Sequence, residues 1–164
     1  MLRIQTAWPL RIHRRRIAPT LDRMGLTAVA RSEDGAVRAS VDVNGRHVIV
    51  TDEPVRLGGT DLGPAPHELL PAALAACIAT MISMYARTKG WALGEVEVTV
   101  DYDPQAVPRH CTIDVHLPES LTPDQVKRLE RVANTCPFRR ALETGFEFDE
   151  RILLDRPDTP REAA

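Results

Sequence analysis

The sequence predicts an α+β chain in the order β-β-β-α-β-β-α-β, and three observations carry that reading. Residues 25–54 and two later segments alternate apolar and polar side chains, the period of a half-buried strand. Residues 69–86 form a run without a single charge. Residues 122–136 place apolar residues at helical spacing behind a helix-start signal.

The first segment, "GLTAVARSEDGAVRASVDVNGRHVIVTDEP", puts Val37, Ala39, Val41 and Val43 on one face. Asn44-Gly45 is a hairpin signal, because both central residues of a type I′ turn need positive φ. Two or three antiparallel strands therefore come first. "VRLGGTDLGPAP" reads as a Gly/Pro loop. The uncharged helix follows and ends near Lys89-Gly90, where glycine suits the position just past a helix end. Val96, Val98 and Val100, then Cys111, Ile113, Val115 and Leu117, mark two more strands. Thr122-Pro123-Asp124-Gln125 supplies a capping box with proline in the first turn. Val126, Leu129, Val132, Ala133 and Cys136 form the apolar stripe of that helix. Cys136 before Pro137 can cap a short following helix, and "FEFDERILL" reads as a last strand.

The chain has 164 residues, enough for one domain with a core. Residues 24–154 are expected to form that domain. Residues 1–23 carry six arginines and one acid, Asp22. They read as a flexible basic arm, a transit peptide, or an overcalled start with the true start at Met24. They do not read as a secretory signal, because no apolar run follows "RIHRRR". The tail, residues 155–164, has no apolar anchor and is expected to be mobile. A net charge of -2 argues against a nucleic-acid partner. Aromatic residues are 4% of the chain, so the core must rest on Ala, Val, Leu and Ile. Three cysteines, 77, 111 and 136, without a CxxC pair, point to reduced thiols in a cytoplasmic protein. His67, His110 and His116 show no ligand spacing, so no metal and no cofactor is expected.

Leu69–Ala86 has the minimum length of a membrane span, but six of its eighteen residues are Ala and Pro71 interrupts its start. A helix apolar all round is buried on every side. One sheet covers one side, so a second copy of the chain is expected to cover the rest, through the small residues Ala72, Ala73, Ala75, Ala76 and Ala79. The expectation is a homodimer with a helix pair at its centre and no membrane. Pro71 leaves Glu68 in a bent entry segment, and nine residues of helix put Glu68 on the far side from Cys77. A third group must link the two if they act together.

"HELLPAALAAC", "YARTKGW" and "LTPDQVKRLERVANTCPFRRAL" resemble the OsmC/Ohr family of osmotically induced and organic hydroperoxide resistance proteins, over about residues 26–154. "HVIVTDEP" and "GGTDLGPAP" are similar to its OsmC-like branch. The resemblance implies an intertwined homodimer with two sheets wrapped around a central helix pair. It implies thiol-dependent reduction of organic hydroperoxides to alcohols. Cys77 matches the peroxidatic cysteine, Cys136 the resolving one, and Glu68 a carboxylate that holds an arginine over the reactive sulfur. Arg56 matches that arginine with one extra residue in the loop; Arg31 and Arg38 are the alternatives. Arg139 stands where many relatives have histidine.

In that chemistry Cys77 must react as thiolate, which burial opposes and a guanidinium favours. Exposed N–H groups of the helix that starts after Cys136 would help stabilise the Cys136 thiolate. Met81, Met84 and Phe138 would form an apolar substrate pocket. An external dithiol, lipoylated or thioredoxin-like, would reset the Cys77–Cys136 disulfide. The bland alternatives are a small core cysteine at 77 or 136, a core residue at Cys111, a dipole-favoured charge at Glu68 and an ordinary loop charge at Arg56. At the level of the whole chain, the rivals to an enzyme are a dimer that binds an apolar ligand without turnover, and a thiol redox sensor.

Overall fold

The computed structural model describes residues 25–153. The expected N-terminal arm and C-terminal tail lie outside them. Strands β1 (Ala28–Ser32), β2 (Ala39–Val43) and β3 (His47–Thr51) form an antiparallel sheet in sequential order. Asn44 and Gly45 connect β2 to β3 with φ of 55° and 64°, both in the left-handed region the turn demands. Helix α1 (Leu69–Thr88) follows, then the hairpin β4 (Glu97–Asp103) and β5 (His110–His116). Helices α2 (Pro123–Asn134) and α3 (Pro137–Thr144) end the regular structure.

Local chemistry sets the helix ends. Gln125 N–H donates to the Thr122 hydroxyl at 3.3 Å, and Thr122 N–H donates to the Gln125 side chain at 2.8 Å, so the capping box forms as expected. Lys89 closes α1, and Gly90 takes φ of 68° just beyond it. Residues 66–68 form a single tight turn before α1, which leaves Glu68 in an entry segment outside the regular helix.

The core lies between α1, the β4–β5 hairpin and α2. Leu74, Ile78, Ile82 and Ala86 recur every four residues along α1 and are buried. They meet Leu129 of α2, which is 0% exposed, and the inner residues Val98, Val100, Cys111, Ile113 and Val115 of the hairpin. Each such Leu or Ile contributes about 1.5–3 kcal/mol by leaving water. Cys111 faces this core, as strand periodicity predicts.

The other half of α1 is uncovered among the described residues. Ala72, Ala73, Ala76, Thr80, Ser83 and Met84 are exposed. The helix is long and apolar enough to cross a membrane by length and composition, yet its buried stripe packs on a hairpin and two helices. It is the core helix of an α+β fold. The β1–β3 sheet buries little of its own: Val48 is 64% exposed, and Ile49 and Val50 are exposed beside it.

The last expected strand, residues 146–154, does not form among the described residues. Residues 145–153 join no ladder, and Phe148 is 79% exposed. Among the described residues β4 and β5 pair only with each other, and this segment meets no strand that would complete its backbone hydrogen bonds. The element that follows α2 is the short helix α3, with Cys136 at its N-cap.

Candidate active site

Cys77 sits in the middle of α1, beside the buried stripe. Cys136 sits at the corner where α2 ends and α3 begins, and it is fully buried. The corner brings the two together: the sulfurs lie 2.7 Å apart, and both cysteines are free. Pro137 cannot continue α2 and takes the first position of α3, so the new helix starts directly after Cys136.

Burial raises the Cys77 thiol above its ordinary value, and Cys136, sharing a hydrogen with it, pushes in the same direction. The Phe138 amide pulls the other way. The first turn of α3 thus favours the thiolate of Cys77, the peroxidatic candidate. The sequence suggested such help for Cys136 instead. The cue was visible, since a Cys-Pro start places free amides next to the cap, but sequence alone does not tell which sulfur they face.

Arg139 holds the corner in place. Its Nε meets Glu143 at 2.8 Å and its Nη1 donates to Asn134 at 2.6 Å, tying the end of α2 to the first two turns of α3.

The charged candidates stand elsewhere within one chain. The Glu68 carboxylate accepts the Ala65 N–H at 2.9 Å and caps its own turn. Arg56 lies in an exposed turn, residues 55–57, and enters no ion pair among the described residues. Arg38 is engaged by Asp52, Thr60 and Glu33, so it is not free to reach over a thiol. Arg31 is exposed on β1. The structure therefore joins Cys77, Cys136 and Phe138, and it leaves Glu68 and Arg56 apart from them within one chain.

Met81 and Met84 follow Cys77 at four and seven residues, so all three share one stripe of α1. Met81 is half-buried, and Met84 is exposed beside Ala79, Thr80, Ser83 and Arg87 in a shallow hollow. A larger hollow of about 910 Å³ between α1, β5 and α3 is lined by Leu70, Leu74, Cys111, Ile113, Leu142, Phe146 and Phe148, among others. Its lining stops at Leu74, one turn short of Cys77. Among the described residues no cluster of His, Cys, Asp or Glu could hold a metal ion.

The family model described as OsmC-like protein matches residues 59–151, more than half of the chain. The chain belongs to the OsmC-like family. The matched segment contains both cysteines and Glu68; Arg56 lies just before it. Among solved structures, a protein from Psychrobacter arcticus is named for osmotic stress induction and the detoxification response. It is 26% identical, with a TM-score of 0.59, covering 74% of this chain and 91% of its own. A Vibrio cholerae protein named for organic hydroperoxide resistance is 22% identical, with a TM-score of 0.52, over 75% of this chain and 88% of its own. An OsmC-like protein of unknown function from the same species is 12% identical, with a TM-score of 0.55, over 74% and 95%. These last two share the fold. No curated protein matches the chain.

Proposed function

We propose that this OsmC-like protein is a thiol peroxidase that reduces organic hydroperoxides to alcohols. The observation that carries the reading is the pair of free sulfurs, Cys77 and Cys136, 2.7 Å apart in a mostly apolar surround. Family membership supports a peroxide-related redox role.

The Cys77 thiolate attacks the outer peroxide oxygen. The O–O bond breaks, the alkoxide leaves and takes a proton as the alcohol, and Cys77 becomes a sulfenic acid. The Cys136 sulfur then attacks the Cys77 sulfur and expels water, which forms the disulfide. The sulfurs need almost no rearrangement for this step. An external dithiol, on a lipoylated or thioredoxin-like protein, reduces the disulfide and becomes oxidised itself. Arg56, held by Glu68, supplies the positive charge that offsets burial of the thiolate and steadies the developing alkoxide. Met81, Met84 and Phe138 give the substrate an apolar surface, which favours an organic peroxide over hydrogen peroxide.

The working unit in this reading is a homodimer in the cytoplasm. Three unpartnered apolar surfaces support it: the outer face of α1, the β1–β3 sheet and residues 146–153. A second copy would cover the first two and offer a strand neighbour to the third. It would also offer Glu68 and Arg56 a place at the thiols that one chain alone does not give them.

Single-turnover oxidation tests the chemistry. One equivalent of cumene hydroperoxide should yield one equivalent of alcohol and a Cys77–Cys136 disulfide, seen as a linked peptide pair in a non-reducing digest. A product with Cys77 still a free thiol would reject the reading.

A further inference from the structure

The loop after β3 is built around a buried charge. The Asp52 side chain is 1% exposed. One of its oxygens accepts the Thr60 hydroxyl at 2.6 Å, the Thr60 N–H at 3.1 Å and the Leu62 N–H at 3.2 Å. The Arg38 Nε lies 3.6 Å from the same oxygen, and Arg38 Nη2 donates to the Thr60 hydroxyl at 2.6 Å. That Nε is buried and has no hydrogen-bond partner among the described residues, and Asp52 is the counter-charge beside it.

Backbone bonds close the neck of the loop. Asp52 N–H donates to Pro64 C=O, Asp61 N–H to Glu53 C=O, and Gly59 N–H to Pro54 C=O, each at 3.3 Å. The strands of the loop pass so closely that a Cβ on Gly59 would strike the Glu53 carbonyl. A Cβ on Gly63 would strike the Val50 carbonyl. Residues 52–64 are thus a pinned loop. Its tip, Val55-Arg56-Leu57, is the opposite: exposed, apolar beside a cation, and without an ion pair among the described residues.

A buried carboxylate is costly unless its partners need it. Here the partners are the amides and hydroxyl that fix the loop, not the reacting atoms. We propose that Asp52 is a positioning residue for the peroxidase reaction: it pins the 53–63 loop so that Arg56 is presented to the peroxidatic sulfur in one fixed geometry. This rests on the assignment of Arg56 and Cys77 made above. Without the pin, the guanidinium would occupy its place for only a fraction of the time, and alignment lost far from the chemistry is lost in rate. The Thr60 hydroxyl first, then the Leu62 and Thr60 amides, hold the Asp52 carboxyl at about 2. The pin is therefore charged at any pH suited to an assay.

The test is the pH dependence of Cys77 alkylation by iodoacetamide, with cumene hydroperoxide kinetics alongside, in the full chain. The variants are Asp52→Ala, Arg56→Ala and the double variant; Thr60→Val, which removes one donor, replaces Asp52→Ala if that chain does not fold. The expected result is an upward shift of the Cys77 midpoint in both single variants. kcat/KM should fall about tenfold or more, and the double variant should be no worse than Arg56→Ala alone. A loss of thermal stability with an unmoved Cys77 midpoint would make Asp52 merely structural and overturn the proposal. Losses that add in the double variant would overturn it too, since the residues would then act independently. If Arg56→Ala itself leaves the midpoint unmoved, the assignment of Arg56 fails and the proposal falls with it. The alkylation midpoint is readable even without peroxide turnover, so failure of the peroxidase reading is seen separately.

Discussion

Cys136 and Cys77 are 59 residues apart in sequence, and their sulfurs lie 2.7 Å apart in the fold. The contact depends on one corner. Pro137 ends α2, Cys136 caps α3, and Arg139 bridges Asn134 and Glu143 across the bend. In the proposed reaction, a resolving thiol held there would intercept a sulfenic acid on Cys77 as soon as it formed.

Removing the resolving thiol should therefore expose the intermediate. In Cys136→Ser, Cys77 is expected to oxidise once and then accumulate as a sulfenic acid, trapped by dimedone and visible by mass spectrometry. Turnover with a dithiol should fall sharply, while the wild type should give little adduct because the disulfide forms first. Equal adduct in both proteins would separate Cys136 from the reaction.

The second expectation concerns pH. Burial raises the Cys77 thiol, and Arg56 is assigned to offset this. In reduced Arg56→Ala, the folded chain should hold the Cys77 proton more tightly than the unfolded chain does. That linkage stabilises the fold fully below the unfolded thiol value, about 8.5. It is lost as pH rises through the higher folded value. Urea midpoints of Arg56→Ala should fall above about pH 8.5, and adding Cys77→Ser should flatten the decline.

Much of this was legible in the sequence because the signals were local. Asn44-Gly45, the Thr122–Gln125 box and Lys89-Gly90 each specify backbone within a few residues, and each forms as expected. The two cysteines were legible only through a family pattern, since nothing in their spacing fixes a contact between two helices. The strand at 146–154 was misread in part because alternation reports a face, not a neighbour. Phe146 and Phe148 have the pattern, but one chain gives them nothing to pair with. The Asp52–Thr60–Arg38 cluster was missed because three polar residues in an exposed-looking Gly/Pro loop carry no periodic signal.

Core packing provides a third check. Leu129 is 0% exposed, against α1 and the hairpin, and it lies close to the Cys136 corner. Leu129→Ala should cost about 2–5 kcal/mol. The measurement is the chemical denaturation midpoint. A loss under about 1 kcal/mol would mean that the α1–α2 contact is not the core of the fold.

The fourth concerns assembly. Ala76 lies on the uncovered face of α1. Sedimentation of the wild type should give twice the chain mass, and Ala76→Glu should shift it to monomer by burying an unpaired charge at the helix pair. A wild-type monomer would leave the exposed face of α1 without the proposed partner. An unshifted dimer in Ala76→Glu would place the interface elsewhere.

The most direct measurement is steady-state peroxide consumption by the purified chain with a dithiol reductant. It compares cumene hydroperoxide with hydrogen peroxide, and the wild type with Cys77→Ser. The expected result is faster loss of the organic peroxide, abolished in Cys77→Ser. Absence of turnover, with Cys77 still a free thiol in excess peroxide, would contradict the peroxidase assignment and leave an OsmC-like fold with another task.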